Sequence, residues 1–339
     1  MRNILITGGA GFIGSNLAES FLAKGDKVTI LDNLCRDGSK INLEWLRSKK
    51  GNLTVVEGDV RNSSDVEKCI ADKDLIFHLA AQVAVTTSVT DPRPDFEINA
   101  LGTFNVLEAM RKINKEATLL YTSTNKVYGE MTEMGVVEKT TRYDYKNLTG
   151  VSEQQPLDFH SPYGCSKGSA DQYVRDYHRI YGLNTIVFRQ SCIYGPRQFG
   201  VEDQGWVAWF LIALTQGRKL TVYGDGKQVR DILYVSDLIN AYNFAVDNKK
   251  VTSGQVYNVG GGRENTISVW YEFGPILEKL FKRKIDVKFS DWRPGDQKVF
   301  ISDVAKAKKD FGWEPKVSAE QGIKLLFDWI QENKNLFEL

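Results

Sequence analysis

The sequence predicts an α/β fold, a doubly wound parallel sheet joined to a smaller α/β domain. Three observations carry this reading. Short β-rich runs alternate with helical stretches through the first half of the chain, the pattern of βαβ units. A cluster of glycines separates the first run from the first helix, and an aspartate closes the second run. Hydrophobic residues make up 42% of the 339 residues and charged residues 26%. Such a chain can bury a core without disulfides and is too apolar for a disordered segment. At roughly 150 residues per domain, its length suggests two domains.

Asn3–Thr7 (N-I-L-I-T) is the first strand. A glycine turn and a helix to about Lys24 follow, and Gly25 fits the helix's C-terminal cap. Lys27–Leu31 is the second strand, ending at Asp32, and Leu53–Glu57 and Leu75–Leu79 are the third and fourth. A long helical stretch covers about Pro94 to Ile113, and Thr118–Ser123 and Thr185–Arg189 complete six strands. The second half is less regular. Its turn signals at Gly224–Gly226, Gly260–Gly262 and Arg293–Gly295 fit a smaller domain packed on the first. We therefore expect a first domain over 1–189, also receiving segments near 230–260, and a second over 190–339 interleaved with it.

Composition excludes several classes. Lys+Arg is 44 and Asp+Glu 43, which argues against nucleic-acid binding by bulk electrostatics. No apolar run reaches the about 20 residues that span a bilayer. The longest, around Leu75–Val85 and Val207–Leu214, are too short, and the first contains His78 and Gln82. The first apolar run belongs to a strand and glycine loop rather than to a signal peptide. Cys35, Cys69, Cys165 and Cys192 are scattered without a Cys-x-x-Cys pair, so no metal site is expected and a reducing cytoplasm is the simplest setting. The basic run Lys282–Lys284 reads as a solvated face.

Gly8, Gly11 and Gly14 stand in T-G-G-A-G-F-I-G directly after the first strand. Glycines there let the backbone turn tightly and approach a pyrophosphate, which the helix N-terminus then faces. A ligand-free glycine turn is the alternative. Asp32, eighteen residues after Gly14, decides against it, because an acid at that place accepts from ribose hydroxyls. The arrangement is a Rossmann-type one. A carboxylate at Asp32 repels a 2′-phosphate and favours NAD over NADP, while Arg36 nearby works the other way. Asp59, in E-G-D-V, either meets the adenine amino group or caps a helix.

Tyr163 and Lys167 are four apart in S-P-Y-G-C-S-K-G, on one face of a helix that Pro162 helps to start. A phenol ionises near pH 10, and bringing it near 7 takes on the order of 4 kcal/mol. A neighbouring ammonium and a positive nicotinamide both act in that direction. Ser123 and Thr124 end the fifth strand at the carboxyl edge, where such sheets bind ligands.

With T-G-G-A-G-F-I-G, D-N at 32–33, H-L-A-A at 78–81, Y-G-C-S-K and V-R-D at 229–231, the whole chain resembles the extended short-chain dehydrogenase/reductases that act on nucleotide sugars. S-T-N-K-V-Y-G at 123–129, D-F-H-S-P-Y-G-C-S-K-G at 158–168, D-Q-G-W-V at 203–207 and G-K-Q-V-R-D at 226–231 are similar to the members that invert C2 of CDP-hexoses. The resemblance implies tightly held NAD, contacted by Gly8, Gly11, Phe12, Ile13, Gly14, Asp32, Asn33, Arg36, Asp59, Val60, Leu79, Ala80, Ala81 and Gln82. It implies a catalytic Thr124, the base Tyr163 and its helper Lys167, the last two also on the cofactor, with Asn99 supporting the active-site helix and cofactor. It assigns Thr124, Asn125, Gln204, Val222, Tyr223, Arg230 and Arg293 to the sugar nucleotide, the arginines to its diphosphate. As surface ion pairs instead, Arg230 would take Asp231 and Arg293 would take Asp296. A homo-oligomer, dimer or tetramer, is implied through the helices at 94–113 and 163–181.

Dehydratases of this family carry an acid and a base after the threonine. Here Asn125 and Lys126 follow it, which disfavours elimination. Many relatives have Asn two residues before the Y-G pair near 195; this chain has Cys192. A nucleotide-sugar 4-epimerase and a non-catalytic NAD sensor remain as alternatives, the sensor opposed by the retained Thr124, Tyr163 and Lys167. His160 reads as a loop hydrogen-bonding residue.

Overall fold

The computed structural model describes residues 1–293 and 295–337. Pro294, the centre of the turn expected at 293–295, lies outside them. Seven strands form one parallel sheet: β1 (Asn3–Thr7), β2 (Lys27–Asp32), β3 (Asn52–Glu57), β4 (Leu75–His78), β5 (Thr118–Thr124), β6 (Asn184–Gln190) and β7 (Val256–Val259). Their order across the sheet is β7-β6-β5-β4-β1-β2-β3. The edge strand β7 comes from the second half of the chain and pairs with β6 from Val256 opposite Val187 to Val259 opposite Gln190. The order reverses at β1, with β2 on one side and β4 on the other. Ligands of open α/β sheets sit at the strands' carboxyl ends at such a switch point.

Strand alternation explains the two cores. Ile4 and Ile6 of β1 point to one face, where Leu17 and Phe21 of the helix Phe12–Ala23 meet Leu238 and Tyr242 of the helix Val235–Asp247. Leu5 points to the other, against Val66, Val106 and Val174 from the helices Ser63–Ile70, Gly102–Ile113 and Ser161–Tyr181. Burying each such side chain stabilises by about 1.5–3 kcal/mol, and the result is a rigid platform beneath the cleft.

The helical stretch expected from Pro94 begins at Pro92 and is interrupted. Residues 92–96 are α-helical, Glu97–Leu101 form a π turn, and Gly102–Ile113 continue as α-helix. A π turn inside a helix commonly marks a functional position, and here it carries the buried Asn99. The C-terminal half packs the helices Trp206–Thr215, Phe273–Phe281 and Ala319–Glu332 around its own apolar cluster. Beside them, Val229–Asp231 is the central strand between Thr266–Ser268 and Val299–Phe300.

Candidate active site

A cleft opens at the switch point, lined by the glycine loop, Asp32, Tyr163 and Lys167. Gly8 turns the chain there with φ +68°, and a Cβ on it would lie 2.7 Å from the Ala80 nitrogen. A Cβ on Gly14 would lie 2.2 Å from the Gly8 oxygen, so the helix start packs directly on the loop. Gly11 caps that helix without a side-chain acceptor, and Phe12, Ile13 and Gly14 line the cleft. The first-turn N–H groups are thus left for an anion. Asp32 ends β2 with Oδ2 accepting from the Ala10 N–H at 2.9 Å and Oδ1 from the Leu34 N–H at 2.8 Å. Burial pushes its pKa up, against these bonds, and each oxygen keeps a lone pair for a ribose hydroxyl. Glycine cradle, free helix N-terminus and carboxylate together fit a dinucleotide.

The remaining expected cofactor residues divide. Asn33, Arg36, Asp59, Val60, Leu79, Ala80 and Ala81 line the cleft, whereas Gln82 and the buried Asn99 are not part of its lining. Asp59 does not cap the following helix; Asn62 does, accepting from the Ser64 N–H. Asp59 instead takes a two-pronged bond from Arg61 at 3.0 and 2.8 Å and one from Asn33 at 2.9 Å. Hydrogen bonds from Arg61, above all, hold its pKa down to about 2. Asn99 accepts from the Gln82 N–H at 2.9 Å and donates towards Ser166 Oγ at 3.1 Å, tying the cleft wall to the helix Ser161–Tyr181.

A directed chain of hydrogen bonds backs this wall. Thr103 Oγ1 donates to the Asn99 carbonyl at 2.6 Å, so it accepts from His78 Nε2 at 3.0 Å. His78 Nδ1 then accepts from Thr7 Oγ1 at 2.7 Å, and Thr7 accepts from the Ala80 N–H at 3.2 Å. Burial pushes the His78 pKa down to about 3, so the imidazole is neutral and every proton in the chain has one place.

Tyr163 and Lys167 share one face of their helix and are both buried. Lys167 Nζ donates to the Thr122 carbonyl at 2.5 Å and lies 4.5 Å from the Tyr121 ring centre. Burial pushes Lys167 down to about 7. It pushes Tyr163 up to about 12, with a hydrogen bond from Thr124 working against it. The sequence predicts that the lysine and a positive nicotinamide together depress the phenol. In the protein alone desolvation dominates both groups, and further positive charge must enter the cleft before the phenolate forms. The helix start is pinned by the Tyr163 N–H to Ser88 Oγ at 3.1 Å and by Ser166 Oγ to Asp95 at 2.5 Å. Ser123 Oγ lines the cleft, buried and without a partner.

On the far side the arginines have partners other than those expected. Arg230 donates to Asp296 at 2.6 Å and to the Val229 carbonyl at 2.8 Å. Neighbours on a strand face opposite ways, so Asp231 turns inward and accepts from Ser191 Oγ at 2.6 Å and from the N–H groups of Ser302 and Gly262 at 3.0 and 3.1 Å. Arg293 donates to Asp203 and to the Glu202 carbonyl, each at 2.9 Å, and stacks 3.9 Å from the Tyr223 ring centre. Asn125 Nδ2 reaches Gln297 at 3.4 Å. Two expected substrate residues are placed differently. Val222 is fully buried in the C-terminal core, which leaves only its backbone for a ligand. Gln204 lines the dinucleotide cleft and accepts from Arg36 at 2.6 Å. His160 Nε2 lies 2.9 Å from an Asp158 carboxylate oxygen, within its own loop.

Arg197, Gln198 and Phe199 also line the cleft, and the sequence reading did not find them. Phe199 fills the space left by Gly38, where a Cβ would meet its ring at 2.1 Å. Arg197 stacks on Trp45 at 4.3 Å. The P-R-Q-F-G segment has no periodicity to announce a contact with Gly38 and Trp45, more than 150 positions earlier.

A dinucleotide cleft at a switch point, lined by Tyr163 and Lys167 and with Thr124 at the end of the neighbouring strand β5, is the arrangement of the extended short-chain dehydrogenase/reductases. The family described as GDP-mannose 4,6 dehydratase matches residues 5–326, and the chain belongs to it. It is 47% identical over 336 residues to CDP-paratose 2-epimerase of Salmonella typhi, covering 96% of this chain and 98% of that protein. UDP-glucuronic acid 4-epimerase from Bacillus cereus, solved with UDP-glucuronic acid and NAD, superposes with a TM-score of 0.85 at 29% identity, covering 97% of this chain and 99% of that one. dTDP-glucose 4,6-dehydratase from Bacillus anthracis, solved with NAD, gives 0.82 at 30% identity, covering 99% and 98%. The chain is an enzyme of this family. Among the described residues no helix is long and apolar enough to cross a membrane.

Proposed function

We propose that this enzyme uses NAD to invert C2 of a CDP-hexose, converting CDP-paratose to CDP-tyvelose or interconverting CDP-glucose and CDP-mannose. The observation that carries the reading is the likeness to a CDP-paratose 2-epimerase along nearly the whole chain. The turn after Thr124 agrees with it. Asn125 and Lys126 supply no carboxylate, and Asp296, the acid that approaches Lys126 at 3.8 Å, is held by Arg230. Burial works to raise the Asp296 pKa, but Arg230 and Lys126 outweigh it and keep it below the ordinary value. An ionised, paired carboxylate cannot donate the proton that elimination of a hydroxyl needs.

NAD bound in the cleft supplies a reversible hydride acceptor. Tyr163 Oη takes the proton of the hydroxyl at the carbon being oxidised and later returns it. Its raised pKa in the protein alone keeps that proton in place until the cleft is charged. Lys167 stays fixed through Thr122, and Thr124 orients the phenol and the sugar hydroxyl. Arg230 and Arg293 hold the diphosphate by charge-assisted bonds, which leaves the sugar free to turn its other face. We read residues 1–189 with the segments near 230–260 as the NAD domain, and 190–339 as the domain for the sugar nucleotide. The exposed Phe96, Phe104, Tyr173 and Ile180 support a homo-oligomer through their helices.

A 4-epimerase is the second reading, favoured by the fold likeness to the Bacillus cereus enzyme. Incubation with CDP-, UDP- and GDP-hexoses, with NMR of the products, separates the two. Inversion at C2 of a CDP-sugar supports the first reading, inversion at C4 the second, and no turnover of any sugar contradicts both.

A further inference from the structure

The ion pairs on the substrate side pose a problem of charge. Arg230 is engaged by Asp296 at 2.6 Å and Arg293 by Asp203 at 2.9 Å. A diphosphate cannot use Arg230 fully while a carboxylate holds the same guanidinium, and two anions brought together there would repel each other. Arg230 is only 7% exposed, so it cannot swing out to meet its ligand. Asp296 therefore has to be the group that gives way, and a displaced carboxylate needs a new cation.

One is in place. Lys126 Nζ lies 3.8 Å from the same Asp296 Oδ1 and donates to the Gly295 carbonyl at 3.2 Å. Its backbone is fixed by the Thr124 hydroxyl, which accepts from the Lys126 N–H at 3.2 Å. Next to it Asn125 reaches Gln297 at 3.4 Å, and Gln297 bonds to the Gly129 carbonyl. The turn that follows Thr124 and the segment 295–297 are thus joined by side chains on both sides of Asp296. Lys126 has only a neutral carbonyl to surrender in order to take the carboxylate closely.

Resting on the reading of the substrate as a nucleoside-diphosphate sugar, the geometry points to an exchange of partners: when the diphosphate takes Arg230, Asp296 passes to Lys126. Lys126 is then a positioning residue. It neutralises the carboxylate that would otherwise compete with substrate, and it draws segment 295–297 onto the turn that carries Thr124. A carboxylate at 126 could not do this, which gives the lysine a use of its own at that position.

The test measures binding of CDP by calorimetry to the NAD-loaded enzyme and its variants. Lys126→Met should weaken CDP about tenfold, because the competing carboxylate has nowhere to go. Asp296→Asn should bind CDP at least as tightly as wild type, since the competitor is gone. The double variant should recover the affinity of Asp296→Asn, a rescue that a purely structural lysine would not give. Lys126→Met binding like wild type, or a double variant as weak as Lys126→Met, overturns the exchange. Should Lys126→Met not fold, a clear loss of CDP affinity in Asp296→Asn alone overturns it. Wild type that fails to bind CDP, UDP or GDP contradicts the substrate reading itself, a result distinct from these.

Discussion

Gly14→Ala is a sharp probe of the dinucleotide cradle, because two effects of known size oppose each other. Gly14 lies inside a helix, where alanine is intrinsically better than glycine by about 0.8–1 kcal/mol. Its Cβ, however, would sit 2.2 Å from the Gly8 oxygen and 2.7 Å from the Gly9 Cα. Both are backbone atoms that no rotamer change can move. Overpacking of this kind costs about 1–3 kcal/mol, so steric cost outweighs propensity. The loop must shift by the better part of an ångström, and each N–H pulled off a phosphate costs a further 1.5–3 kcal/mol or so. We predict NAD affinity down by at least about tenfold and an apparent melting temperature lower by a few degrees. Gly25→Ala is the control. It carries φ +80° with nothing within 4 Å of its Cβ, so it should cost about 1 kcal/mol of strain and leave NAD binding unchanged. Calorimetric titration with NAD and a thermal melt of each variant decide the matter. A Gly14→Ala protein with wild-type affinity and melting would refute the cradle.

Tyr163→Phe should abolish turnover while NAD content, read from the absorbance of the purified protein, stays at the wild-type level; a near-native rate would remove the phenol from the mechanism. Arg230→Ala and Arg293→Ala should each weaken CDP-sugar binding about tenfold or more with NAD retained, and wild-type affinity in both would show that they are ion-pairing residues only. Lys167 ionises at about 7 in the fold against 10.5 ordinarily. Below pH 7 both folded and unfolded chains hold that proton, and the buried charge destabilises the fold in full. Between 7 and 10.5 only the unfolded chain keeps it, so stability rises with pH and the penalty is gone above 10.5. NAD-free Lys167→Met should therefore gain melting temperature over NAD-free wild type at pH 6, with the gain shrinking towards pH 10; a pH-independent difference would contradict the depressed lysine.

What the sequence revealed was local. The glycine loop, Asp32 and the Tyr163–Lys167 spacing each sit within one element and its turn, where residue type and interval dictate geometry. The ion pairs were misread because closeness in sequence stood in for closeness in space. Arg230 and Asp231 lie on opposite faces of one strand, and the carboxylate that meets Arg230 comes from 66 positions away. Gln204 was assigned to the sugar nucleotide through the family resemblance, and the irregular segment around it folds back to Arg36. The π turn at Glu97–Leu101 was not separated from the helical stretch that holds it, because its residues are ordinary helix formers with no proline or glycine inside it. The starting pKa of the Tyr163 phenol in the protein alone was not legible either. It is set by burial, which no spacing reports.

The fate of the hydrogen on C2 tests the central claim most directly. Hydride transfer moves that hydrogen away and returns it to the same carbon on the other face, without passage through water. A CDP-hexose deuterated at C2, epimerised in ordinary water and examined by NMR and mass spectrometry, should keep its label in the inverted product. Complete loss of the label to solvent, or inversion at C4 with C2 untouched, would contradict the account.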